Sequence, residues 1–208
     1  MITGNMDSQT TFPREIDLNT PDIMHTGLLL SAIHFAAQRH RDQRRKNPGR
    51  TPYINHPIDV ANILFFEGGV RDPVVLIAAV LHDTIEDTQT TLMEIENLFG
   101  EEVRKVVAEV TDEKNIPHHQ RKSGQVEKAP YLSPRAKLVR LADKISNLRD
   151  VLADPPLEWT PARQHAYFQW AAKVIAGVRG IHPELEALFD DVQDKFHGQH
   201  SANTAADM

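Results

Sequence analysis

Residues 74–88 read Val74-Val-Leu-Ile-Ala-Ala-Val-Leu81-His82-Asp83-Thr84-Ile85-Glu86-Asp87-Thr88. Eight consecutive apolar residues run directly into a histidine and three carboxylates. Asp72-Pro73 just before them offers an N-cap and a first-turn proline, so the run is predicted to be a helix. A helix that is apolar on all sides lies inside a protein. If it ends in His82, Asp83, Glu86 and Asp87, those groups need partners, because uncompensated buried charge is costly. A bound metal ion is one such partner, and water in an open cleft is another. At 3.6 residues per turn His82 shares a face with Glu86, and Asp83 with Asp87. Two side chains can then hold an ion while two others project one turn further on. The same spacing also fits a helix end whose acids are solvated, although acids at a C-terminus gain nothing from the helix dipole.

Working outward, the totals narrow the classes. A chain of 208 residues is long enough for one domain with a sizeable core. Its 40% hydrophobic and 25% charged content is that of a soluble globular protein. No apolar run approaches the roughly 20 residues a membrane helix needs, and the N-terminus lacks the basic-then-apolar pattern of a signal peptide. The absence of cysteine excludes disulfides, thiolate metal sites and cysteine nucleophiles. It fits a reducing compartment, and a cytoplasmic protein is expected. A net charge of −6 argues against nucleic acid as a partner, since that binding is driven by many cations. Yet Arg39, Arg41, Arg44, Arg45, Lys46 and Arg50 are opposed over that stretch only by Asp42. So concentrated a charge suits a small anionic ligand better than a long polyanion.

Helix signals recur along the rest of the chain. Thr20-Pro21 starts a helix whose stripe is Leu29, Ile33, Ala36 and His40, running on to the Asn47-Pro48-Gly49 turn. Thr51–Pro57 is predicted to be an extended connector that presents His56 at the mouth of the next helix. That helix buries Ile58, Ala61, Ile63, Leu64 and Phe65 and stops at Gly68-Gly69. Thr91–Glu94 matches a capping box. Val103, Val106, Val107 and Val110 mark a further helix. Residues 111–132 read as a partly helical, mobile loop, either an exposed one or a ligand lid. Ser133-Pro134 opens a helix with core stripe Leu138, Leu141, Ile145, Leu148 and Leu152. Asp143 and Asn147 lie off that stripe, one turn apart. Thr160-Pro161 and Pro183 start two more, with Tyr167, Trp170, Ala171, Val174 and Val178 in register in one and Leu185, Leu188, Phe189, Val192 and Phe196 in the other. Period-2 alternation is absent, so the expected fold is all-α, a bundle of about eight to ten helices. The expected boundaries are a flexible tail at 1–19, a domain at 20–196 and a flexible tail at 197–208.

His56 in Asn-His-Pro, His82-Asp83-Thr-Ile-Glu86-Asp87 and Leu141-Ala-Asp143-Lys-Ile-Ser-Asn147-Leu-Arg occur in that order. With Arg44-Arg45-Lys46 before Pro-Tyr-Ile-Asn-His-Pro and Tyr167-Phe-Gln-Trp170, they resemble the HD-domain metallophosphohydrolases. More narrowly, residues 25–195 resemble the hydrolase domain of the Rel/Spo alarmone enzymes in its stand-alone, SpoT-homologue form. The resemblance implies removal of the 3′-pyrophosphate of guanosine tetra- and pentaphosphate (ppGpp, pppGpp) with Mn²⁺ as cofactor. It implies His56, His82, Asp83 and Asp143 as metal ligands, and Glu86 and Asp87 as the residues that position or deprotonate the attacking water. Arg45, Lys46, Asn147 and Tyr167 would bind substrate. His118 and His119 stand where a more lysine-rich loop is expected. The Rel/Spo synthetase domain finds no room in these 208 residues, so the chain is expected to hydrolyse and not synthesise.

Plainer readings stand beside these. His40 is expected to pack behind the site rather than bind an ion, and Trp170 to be a core aromatic. Tyr167 is either core or in contact with the nucleoside. Arg45 and Lys46 either face phosphate or solvate a helix end. Alternative functions are an HD phosphohydrolase acting on NADPH or a deoxynucleotide, and a nucleotide-binding sensor without turnover.

Overall fold

The computed structural model describes residues 23–113 and 116–206. The expected N-terminal tail and the helix start at Thr20-Pro21 lie outside the described residues. Helix α1 spans Ile23–Arg39, and α2 spans Asn55–Asn62 and runs on into a π-helical turn, Ile63–Glu67. Next come α3 (Pro73–Leu81), α4 (Thr84–Asp87), α5 (Leu92–Phe99) and α6 (Glu101–Val110). Helix α7 (His118–Lys128) leads through a 3-10 turn, Ala129–Tyr131, to α8 (Pro134–Ala153), α9 (Pro161–Ala176) and α10 (Pro183–Ala206). No strand occurs among the described residues, only a single bridge between Arg44 and Pro52. The fold is all-α.

The apolar run forms α3, and Val75 through Leu81 are all buried. It packs against α1, α2, α6 and α8, so the chain wraps around it. Its start is capped as the sequence predicts, with Val74 N donating to Asp72 Oδ1 at 2.9 Å. Ser133 caps α8, Thr160 caps α9, and Thr91 with Glu94 closes the capping box of α5. On α8 the predicted stripe holds at Leu141, Ile145 and Leu148, which are fully buried, while Leu138 and Leu152 are partly so. The same helix also buries Arg140, Asp143, Lys144 and Ser146. Polar groups buried on so central a helix must be satisfied by one another or by a ligand.

Two expectations are corrected. The first helix ends at Arg39, not at Asn47. Residues 43–53 instead fold back on themselves, with Arg45 N donating to Thr51 O at 2.9 Å and Tyr53 N to Gln43 O at 3.1 Å. Arg50, at φ 46°, closes this small hairpin. The connector is also shorter than predicted, because Ile54 is already helical and α2 begins at Asn55. Pro57 therefore lies in the first turn, where its missing N–H has no helical partner to lose. Within the segment 111–132, expected to be partly helical, residues 118–128 form α7 despite Gly124. A mid-helix glycine costs about 1 kcal/mol, and tertiary contacts offset it: Trp170 Nε1 donates to Lys122 O at 3.0 Å. Helix α10 continues to Ala206, past residue 197.

Candidate active site

His56 lies in the first turn of α2, His82 follows the last turn of α3, Asp83 comes next, and Asp143 projects from the middle of α8. The fold brings all four together. His56 Nε2 lies 3.3 Å from Asp143 Oδ1 and 3.7 Å from Asp83 Oδ2. His82 Nε2 lies 3.0 Å from Asp83 Oδ2 and 3.7 Å from Asp143 Oδ1. The donor atoms of His56, His82 and Asp143 fall within 4.8 Å of one another.

Partners behind the cluster orient each donor. His82 Nδ1 is 2.7 Å from the carbonyl of Ala79, which can only accept, so the proton is on Nδ1. Its Nε2 is then a lone pair aimed at two carboxylates, buried and without a hydrogen-bond partner. That arrangement is repulsive unless a cation or a proton lies between. His56 Nδ1 meets Ser146 Oγ at 3.1 Å. Asp143 accepts from Lys144 Nζ at 2.9 Å and from Asn147 Nδ2 at 2.5 Å. Tyr53 donates its hydroxyl to Asp83 at 2.6 Å. Two imidazole nitrogens and two carboxylates, each held by a second partner, fit a divalent ion with mixed N/O ligation.

Electrostatics agree. Burial opposes charge on His82, yet Asp83 and Asp143 push its pKa up to about 10. Burial dominates at His56 and, with Arg45 and His82 nearby, lowers its pKa. Burial alone would raise both aspartates. The histidines hold Asp83 below the usual carboxylate range, and Lys144 with the histidines does the same for Asp143. Without an ion, the cluster keeps a proton where a cation would lie.

Above the cluster opens a cavity of about 350 Å³, within the usual size for small-molecule sites. The hairpin contributes Arg44, Arg45, Lys46 and Asn47; α4 contributes Glu86 and Asp87; and α7 contributes Arg121, Lys122 and Gln125. Trp159, Tyr167 and Trp170 form the aromatic side. Tyr53 and Asn147 line the cavity and also touch Asp83 and Asp143, so it meets the cluster through them. Arg45 bonds Asp150 Oδ2 and donates to Asn147 Oδ1 at 2.9 Å, which joins the cationic wall to Asp143 through one amide. Neither Arg45 nor Lys46 stands at a helix C-terminus, because α1 ends at Arg39. Glu86 accepts from Arg121 Nη1 at 2.7 Å. Burial, then Asp112, Asp83 and Asp87, push its pKa up to about 7 against that cation.

Residues 32–174 match the HD domain family, well over half of the chain. The chain belongs to the HD-domain family. It is similar to the guanosine-3′,5′-bis(diphosphate) 3′-pyrophosphohydrolase MESH1 of Homo sapiens, 57% identical over 158 residues, 76% of this chain and 88% of that one. The Xenopus tropicalis MESH1 is 54% identical over 163 residues, 78% of this chain and 91% of its own. A solved structure described as a metazoan ortholog of SpoT that hydrolyzes ppGpp superposes with a TM-score of 0.78 at 45% identity. It covers 79% of this chain and 93% of that one.

Several residues of this HD domain escaped the sequence reading. Tyr53 lay inside the motif without a role, and Gln43 went unremarked between Asp42 and Arg44. Arg121 and Lys122 were visible only as charges in an expected loop. Trp159 carries no sequence signal, being a lone aromatic after Pro155 and Pro156. Trp170, expected to be a core aromatic, packs against the core and also lines the cavity, 5.3 Å from Tyr167 and with Lys122 Nζ 4.7 Å from its ring. His40 is buried outside the ligand cluster, as expected.

Proposed function

We propose that this protein hydrolyses the 3′-pyrophosphate of ppGpp and pppGpp, releasing pyrophosphate and GDP or GTP. The observation that carries the reading is that Glu86, Asp87, Arg45 and Lys46 line one cavity, which meets the two-histidine, two-aspartate cluster through Tyr53 and Asn147. Relatives at 54–57% identity bear the name of that activity. His56, His82, Asp83 and Asp143 are the proposed ligands of one divalent ion, Mn²⁺ in this reading, with residues 20–196 as the catalytic unit and the cytoplasm as its location.

The chemistry such an ion supplies is Lewis-acid activation of water and of a phosphoryl oxygen. Glu86, poised near neutral pH, takes the proton of the attacking water, and Asp87 beside it directs the oxygen. A correctly placed base is worth about 10²–10⁴ in rate. Water adds to the phosphorus bonded to the ribose 3′ oxygen; that P–O bond breaks, and the 3′ oxygen leaves and is protonated to the hydroxyl of GDP. Arg45 and Lys46 offset the negative charge of the pyrophosphate as it separates. Asn147, which bridges Arg45 and Asp143, holds the wall in register with the ligands. Tyr167, between Trp159 and Trp170, offers the nucleoside an aromatic face.

The test is product analysis with Mn²⁺ and each nucleotide. Pyrophosphate and GDP from ppGpp are expected; orthophosphate from NADPH or a deoxynucleotide, with ppGpp untouched, would replace this substrate by another of the same fold.

A further inference from the structure

His40 is 1% exposed, and the mechanism above makes no use of it. Its Nδ1 is 2.6 Å from Gln43 Oε1, its ring centroid is 4.9 Å from that of Tyr53, and its Nε2 is buried without a hydrogen-bond partner. At the other end of the same amide, Gln43 Nε2 is 2.8 Å from Asp87 Oδ2. The orientation follows from chemistry. A carboxylate only accepts, so the amide must turn its NH₂ toward Asp87 and its oxygen toward His40. His40 then carries its proton on Nδ1, which leaves Nε2 as the ring atom that needs no acceptor.

We propose that Gln43, set in orientation by His40, is the positioning residue that aims Asp87 at the reacting water. This rests on the hydrolase reading above. Asp87 ends α4, a single helical turn, and Thr88 after it is already extended. So short an element does little to fix a terminal side chain, whereas Gln43 is fixed on three sides. Its N–H donates to His40 O at 2.9 Å, its carbonyl accepts from Tyr53 N at 3.1 Å, and its amide is pinned by a buried ring. A reacting group displaced by about 1 Å can lose about 10² in rate.

The test is steady-state release of pyrophosphate from ppGpp by wild type, Gln43→Leu, Gln43→Glu, Asp87→Asn and the Gln43→Leu/Asp87→Asn double variant, with Mn²⁺ saturating. Gln43→Leu is expected to lower kcat about 10- to 100-fold with KM changed less than about twofold. In the Asp87→Asn background the same change should move kcat by less than about twofold, because the partner it positions is already gone. Gln43→Glu keeps the size and replaces the donor by a second carboxylate, so its kcat should fall at least as far even if Gln43→Leu folds poorly. An increase in KM with kcat intact, or full multiplication of the two single effects, would overturn the proposal and leave Gln43 a mere wall contact. A wild-type protein that releases no pyrophosphate defeats the hydrolase reading itself, and this inference with it.

Discussion

Glu86 is the proposed base, and the proton traffic of the proposed reaction turns on it. Burial and three neighbouring acids raise it to about 7, while Arg121 pulls the other way. As a base it must be ionised, so kcat/KM should climb through an acidic limb; a divalent ion alongside favours the carboxylate and places that limb at or below about 7. Arg121→Ala removes the opposing cation and should move the limb to higher pH. Unmoved limbs in kcat/KM against pH would show that Glu86 is not the titrating base. Glu86→Gln should cost about 10²–10⁴ in kcat and abolish the limb. Stability should change in the opposite sense. The folded Glu86 keeps a proton between its ordinary 4.5 and about 7 that the unfolded chain has released. Its contribution is therefore present below 4.5 and lost as pH rises through 7. Glu86→Gln should accordingly melt higher than wild type at pH 8, measured by thermal denaturation.

The elements were legible wherever a local signal set them. Asp72-Pro73, Thr91–Glu94, Ser133-Pro134 and Thr160-Pro161 each begin a helix and each caps it as read, because a capping interaction is made within four residues. The hairpin at 43–53 was missed because its pairing depends on Arg50 adopting a left-handed backbone, and arginine gives no such cue. The segment holding α7 was legible only as partly helical, without the helix's bounds, because what stabilises it lies 48 residues away at Trp170. The anchoring of α7 can be tested at Gly177, which ends α9 against the 3-10 turn that follows α7. A Cβ there would stand 2.8 Å from Ala129 Cβ and 3.0 Å from the backbone nitrogen of Pro130. Gly177→Ala should therefore destabilise by about 1–3 kcal/mol, lowering Tm by about 2–4 °C per kcal/mol at this chain length. Because α7 carries Arg121 and Lys122 into the cavity, KM for the nucleotide should rise as well. A variant with wild-type Tm would mean that the turn yields freely and that α7 is not held there.

Across the whole molecule, the proposed ligands join three helices far apart in sequence: α2 through His56, α3 through His82 and Asp83 just beyond it, and α8 through Asp143. Each alone reads as an ordinary polar residue; only their order along the chain, matched to a family, made the convergence legible. An ion binding all three segments binds the folded chain and not the unfolded one, so it must stabilise the fold. At Mn²⁺ about 100 times its Kd the gain is about 2.7 kcal/mol, a rise in Tm of about 5–10 °C at this length. Chelation should reverse it, and His82→Ala, which deletes the unpartnered Nε2, should abolish the response. Proton competition supplies an independent sign. With the ion absent, the carboxylates hold His82 protonated up to about 10. Binding therefore expels that proton, and apparent Mn²⁺ affinity should rise about tenfold per pH unit below that value. Calorimetry in two buffers of different ionisation enthalpy counts the proton directly. A Mn²⁺ affinity that does not change between pH 6.5 and 8.5, or a Tm rise that survives His82→Ala, would place the ion elsewhere in the molecule.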